Sequence, residues 1–241
     1  MLFSALRRIG ILSAGLAVAL SAGTAFAQNR DTDLCTVGEG EAAIASCSEI
    51  IATGSGAEIA WAYFNRGRAY FKAKMYGSAV GDLSEALRLK PDDLEALENR
   101  ARALMALEDY RHAIADFGRM IELQPASLAA FRGRCWARAA SGRDLDDAWE
   151  DCNQALTLKP GDAAALDARC FVDLRRAAYP PAIADCTAAK DADPNLASAL
   201  YLRGVAKHKS GDTIGGDADI DQARARDPDI VRTFLTYGVR P

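Results

Sequence analysis

The stretch YFNRGRAYFKAKMYGSAVGDLSEALRLKP (residues 63–91) decides how this chain is read, because LENRARALMALEDYRHAIADFGRMIELQP (residues 97–125) repeats its pattern 34 residues later. In both copies apolar residues recur every three or four positions, break at a short polar turn, and resume before a closing proline, Pro91 or Pro125. That spacing puts the apolar side chains on one face of each of two consecutive helices. Proline has no N–H to donate and disfavours helix in the residue before it, so each copy ends there. A single hairpin of this kind cannot bury its apolar face alone and needs stacked neighbours.

Working outward, Pro160, Pro194 and Pro228 close three further copies. The repeats divide as 60–93, 94–127, 128–162, 163–196 and 197–230. The third is one residue longer, with the insertion in the turn SGRDLDD, where added length costs little. Pro180-Pro181 suits the entry of a helix, and Gly215-Gly216 is read as a hairpin turn. Residues 28–59 form an N-terminal half-repeat or cap, with a degenerate hairpin over 31–56, and 231–241 form a C-terminal cap or tail with room for one short helix over repeat five.

A 34-residue period of two amphipathic helices resembles the tetratricopeptide repeat. Tyr63, Gly67, Tyr70, Ala79, Leu83, Ala86 and Pro91 fall on that family's aromatic, small, aromatic, small, aromatic, small and proline places, and Asn65-Arg66-Gly67 puts Arg where Leu is usual. The resemblance covers about residues 31–230 and is to exported members with paired cysteines. It implies an all-α, right-handed superhelical solenoid of antiparallel hairpins with a concave groove lined by the first helices.

The first 27 residues read separately. Arg7 and Arg8 precede the apolar run Ile9–Leu20, and Ala25-Phe26-Ala27 offers a small-x-small end before Gln28. That pattern is a secretory signal peptide, with cleavage expected after Ala27 and a periplasmic or secreted product without a stable membrane span. Cleavage takes the formal charge from −4 to −6, which gives no electrostatic case for nucleic acid as a partner.

Two charged columns run through the five repeats. Arg66, Arg100, Arg134, Arg169 and Arg203 precede the small place of each first helix, and Asp82, Asp116, Asp151, Asp185 and Asp219 recur in each second helix. One reading is an arginine ladder gripping an anionic ligand. The other is a structural Arg–Asp pair stitching hairpins together, which the matching opposite charge in every repeat favours.

Six cysteines allow fifteen connectivities. Repeat register couples Cys135 with Cys152 and Cys170 with Cys186, each joining the close-contact place of a first helix to the facing place in the second, and Cys35 with Cys47 in the cap. Disulfides persist in an oxidising compartment. Each would close a loop worth about 3 kcal/mol in the chain-entropy account.

No nucleophile–base constellation, nucleophile elbow or Gly-rich phosphate loop is readable, so no enzyme activity is expected. His112 and His208 are too far apart in the repeat order for a zinc site, and neither metal nor cofactor is expected. The resemblance implies a non-enzymatic scaffold that binds a protein or peptide segment. Projected from the repeat register, the groove would present Trp61, Phe64, Asn65 and Arg68, then Asn99 and Arg102, then Arg132 and Trp136, then Phe171 and Tyr201. Aromatic and Arg side chains anchor interfaces, and the basic N-terminal half suits an acidic or carboxylate-bearing partner. Some family members clamp a carboxylate terminus with Lys, Asn and Arg; Asn99 and Arg132 fit that pattern, but Phe64 and Trp136 depart from it. A structural subunit using its convex face, and thiol–disulfide exchange, are the alternative functions. Oligomeric state stays open.

Overall fold

The computed structural model describes residues 32–241; the expected signal peptide and the first residues of the expected cap lie outside them. Among the described residues all regular structure is helical. The chain divides into two compact units at Lys90/Pro91. The described part of the first begins with a helical turn over residues 32–37 and continues through α1 (Gly40–Thr53), a 3₁₀ turn (Gly56–Ile59), α2 (Ala60–Lys72) and α3 (Tyr76–Leu89). The second holds α4 (Leu94–Ala106), α5 (Tyr110–Leu123), α6 (Leu128–Ser141), α7 (Leu145–Leu158), α8 (Ala163–Arg175) and α9 (Tyr179–Ala192). It ends with α10 (Ala197–Lys209), α11 (Thr213–Arg226) and the short α12 (Ile230–Thr236). From α2 onward, helices pair as consecutive antiparallel hairpins.

Small residues let those helices approach. Ala79, Ala113, Ala148, Ala182 and Gly216 are buried at one repeat place in the second helices, opposite Gly67, Ala101, Cys135, Cys170 and Gly204 in the first. Gly204 is the tightest case: a Cβ there would stand 2.8 Å from the Gly216 carbonyl oxygen and 2.7 Å from Ile220 Cγ1. The Gly215-Gly216 pair expected in a turn therefore lies inside the first turns of α11, where Gly216 faces Gly204. Close backbone contact, not turn geometry, accounts for it. Pro180 and Pro181 lie in the first turn of α9, where their missing N–H groups have no helical acceptor to lose.

Side chains cap several starts: Asp93, Asp109, Ser127, Asp162 and Asp212 accept from backbone N–H groups of the turn that follows. The turn inside each hairpin is closed by a left-handed residue, namely Lys74, Glu108, Ala177 and Gly211, with φ of 60°, 60°, 59° and 93°. In each the next N–H reaches back five residues, as in Asp109 to the Leu104 carbonyl (2.9 Å) and Ala178 to the Asp173 carbonyl (2.8 Å). The longer third turn solves closure differently. Gly142 takes φ 69° as the C-cap of α6 and Asp144 takes φ 52° just before α7.

Candidate functional site

The arginine column is consumed within the fold. Each guanidinium grips its hairpin's aspartate through Nε and Nη2. The distances are 2.7 and 2.9 Å for Arg66–Asp82 and 2.8 and 2.6 Å for Arg100–Asp116. They are 2.9 and 2.6 Å for Arg134–Asp151, 2.6 and 2.8 Å for Arg169–Asp185, and 2.7 and 2.6 Å for Arg203–Asp219. The remaining Nη1 reaches the second helix of the preceding hairpin: Arg66 to Ser48 Oγ (2.9 Å), Arg169 to Asn153 Oδ1 (2.8 Å) and Arg203 to Thr187 Oγ1 (3.4 Å). One side chain thus ties a hairpin both to itself and to its predecessor. Burial alone would raise the Asp219 carboxyl, but Arg203 and Lys207 outweigh it and hold the group below its ordinary value.

Three cystines complete the frame: Cys35–Cys47, Cys135–Cys152 and Cys170–Cys186, with Cα–Cα distances of 4.8, 5.5 and 5.4 Å. The cysteines are buried, and each arginine of the column is engaged by its aspartate.

In the first unit, Trp61 packs on the Cys35–Cys47 cluster with Ile50 and Ile51 and is not a free groove residue. Asn65 Nδ2 donates to the Trp61 carbonyl of its own helix (3.0 Å). Arg68 is exposed, its guanidinium over the Phe64 ring at 5.5 Å. In the second unit, Asn99 likewise donates to its own helix at the Glu95 carbonyl (2.8 Å), Arg102 is exposed, and Arg132 Nη1 approaches Asp162 at 3.4 Å.

The largest correction concerns Trp136, Phe171 and Tyr201. The repeat register projects them into an open groove, yet Phe171 and Tyr201 are fully buried and Trp136 is half-buried. The chain itself covers them. After α11 the segment 230–239 turns back onto the first-helix face of α6, α8 and α10. Phe234 stacks on Tyr201 (centroids 4.9 Å, interplanar 24°) and meets Phe171 and Trp136 edge-on at 5.7 and 6.2 Å. Tyr237 packs on Phe171 at 5.9 Å and reaches Tyr110 at 6.5 Å. Arg175 donates to the Tyr237 carbonyl, and Tyr201 to that of Val239 at 3.5 Å. The tail thus extends well past repeat five, because an unbroken row of apolar side chains runs from Tyr201 to Trp136.

Two buried polar groups stand out in this unit. The Tyr110 hydroxyl has no hydrogen-bond partner among the described residues, and burial pushes its pKa up to about 12. Asp167, on the same row of first helices as Arg132 and Tyr201, is fully buried. Its Oδ2 accepts from Ser198, its Oδ1 accepts from nothing among the described residues, and burial pushes the carboxyl up to about 7. The repeat pattern singles out neither residue. The signal available was an acidic residue amid the apolar run of α8, and a tyrosine opening a second helix.

Tetratricopeptide repeat family models match residues 60–93 and 94–127. No curated protein matches the sequence. Among solved structures, the chain is similar to a tetratricopeptide repeat protein from Parabacteroides merdae ATCC 43184 at 20% identity, over 95% of this chain and 86% of that one, with a TM-score of 0.66. A thermophilic TPR protein of Thermus thermophilus gives 18% identity, coverage of 74% and 97%, and a TM-score of 0.63. YrrB, described as a TPR protein with an unusual peptide-binding site, gives 17%, 79% and 94%, and 0.52. At these identities the likeness is one of fold.

Proposed function

This chain is a tetratricopeptide repeat protein, and on that premise we propose that it is a protein-interaction scaffold that binds a partner segment along the face of its first helices. The observation that carries this reading is the segment 230–239 lying on α6, α8 and α10: that face receives a short helix and its flanking chain through aromatic contacts and a few backbone bonds. Preformed helices lose little ordering entropy on binding, and aromatic anchors supply most of the energy of such contacts. A peptide site in a neighbour of the same fold, YrrB, agrees with this use of the architecture. In the first unit the exposed Arg68, stacked on Phe64, suits an acidic residue of the partner. Three cystines and the N-terminal leader pattern support an exported protein working in an oxidising setting.

The test is capture of partners from an envelope fraction by residues 28–241. Wild type would be compared with an Arg68→Glu/Arg102→Glu/Arg132→Glu variant of unchanged helicity. A protein held by wild type and lost by the variant supports the reading. Equal recovery refutes it and moves the interface to the second helices.

A further inference from the structure

The covering segment is built like a ligand. Ile230, Phe234 and Tyr237 follow one another at i, i+4 and i+7, which aligns them on one helical face. That face is the buried one: Ile230 and Phe234 are 5% and 1% exposed, whereas Arg232, Thr233, Leu235 and Thr236 point to water. The receiving row is Tyr201 and Val205 of α10, Phe171 of α8 and Trp136 of α6, with Tyr110 of α5 at its far end.

The fit has the marks of a replaceable occupant. α12 has seven residues, far below the length at which a helix holds itself together in water, so its order comes from docking. Its backbone is held by few bonds to the body, the Tyr201–Val239 contact being long at 3.5 Å. Docking leaves the Tyr110 hydroxyl buried and unpaired, a cost that disappears once the segment leaves and water enters. Beside Gly238 and Val239 lies an open cavity of 300 Å³, lined by Leu174, Arg175, Val205, Lys209 and Arg240.

From this geometry we infer that the aromatic row of α6, α8 and α10 is a docking site for a helical segment bearing an aliphatic residue followed by aromatics four and seven positions later. Residues 230–239 hold that site in cis until such a segment displaces them. The inference rests on the scaffold reading above and specifies its ligand: an amphipathic aromatic helix, with Arg175 and Lys209 beside the cavity accepting a carboxylate at its end. Binding in trans is then weakened by the fraction of molecules whose own segment is undocked.

The probe is a fluorescent, C-terminally amidated peptide of residues 229–240, titrated into wild type and into Phe234→Ala/Tyr237→Ala. The variant should bind it about 10- to 100-fold more tightly than wild type, as expected when a dominant closed state is removed. Adding Trp136→Ala to the variant should abolish the gain. Absence of a gain in a variant with native helicity overturns the inference. Should the variant not fold, hydrogen exchange on wild type decides. Amides 234–239 exchanging far faster than those of Leu200–Val205 in α10 supports a displaceable segment, and equal protection overturns it. A cellular partner captured equally by wild type and the loosened variant sinks the inference while leaving the scaffold standing. Peptide binding by the variant, with no partner lost from the Arg→Glu protein, upholds the docking site and sinks the scaffold reading.

Discussion

Asp167 should give this protein a stability that falls as pH rises through the neutral range, the reverse of a paired carboxylate. Its side chain is fully buried on α8, receives one hydrogen bond from Ser198, and has an oxygen with no donor among the described residues. Burial raises its pKa to about 7, and the Ser198 bond lowers it only in part. An unfolded Asp ionises near pH 3.9. Between those values the native state keeps a proton that the unfolded state has lost, so unfolding becomes easier with each increment of pH, up to the full penalty above about 7. The native state loses about 1.4 kcal/mol for each pH unit crossed in that interval, so the loss between pH 5 and pH 8 comes to about 2–3 kcal/mol. Asp167→Asn removes the titration while leaving an oxygen to accept from Ser198. Urea unfolding at pH 5, 6.5 and 8, followed by Trp136 and Trp149 fluorescence, measures both proteins. The stability difference should shift toward the Asn variant by about 2–3 kcal/mol across that range. A difference that does not change with pH refutes the reasoning. Asp173, raised by burial and by Asp185, acts in the same direction in both proteins and cancels in the comparison.

Arg100→Ala should lose about 2–4 kcal/mol, because it leaves the buried Asp116 carboxylate without its bidentate partner, and Arg100→Ala/Asp116→Ala should recover part of that loss in chemical denaturation. Ala177→Gly should raise stability by about 0.5–1 kcal/mol by relieving a left-handed alanine, and Gly211→Ala at the equivalent place should lower it, both read by thermal unfolding. Gly204→Ala should cost about 1–3 kcal/mol, since the added methyl comes within 2.8 Å of the Gly216 backbone oxygen, whereas at Gly67 the nearest backbone oxygen, that of Ala79, stands at 3.4 Å and the substitution should cost less.

The hairpins were legible because period, small places and closing prolines all follow from packing constraints that act on neighbouring turns of one chain. Reach across hairpins was less visible. The sequence poses Arg66 against Asp82 as a pair, but the third bond to Ser48 depends on helix placement that no spacing specifies. The left-handed turn residues escaped because Lys74, Glu108 and Ala177 are not the residues that advertise such a conformation. Projecting first-helix positions outward from the repeat register treats every such position as open. The change from Arg68 and Arg102 in the first two repeats to Trp136, Phe171 and Val205 in the later three was the available sign that part of the face is apolar. The matching pattern in Ile230, Phe234 and Tyr237 is its complement, and no spacing in the sequence carries the tail past repeat five.

The third arm of the arginines sets a rule for rearranging such chains. Ser48, Asn153 and Thr187 each follow directly after the cysteine of their second helix, and each receives the guanidinium of the next hairpin. Phe117 is followed instead by Gly118, which offers Arg134 no side-chain acceptor. A hairpin can therefore be duplicated, deleted or exchanged in an engineered array only together with the oxygen that its successor grasps. The junction between α5 and α6, already lacking that oxygen, is the place to cut and splice.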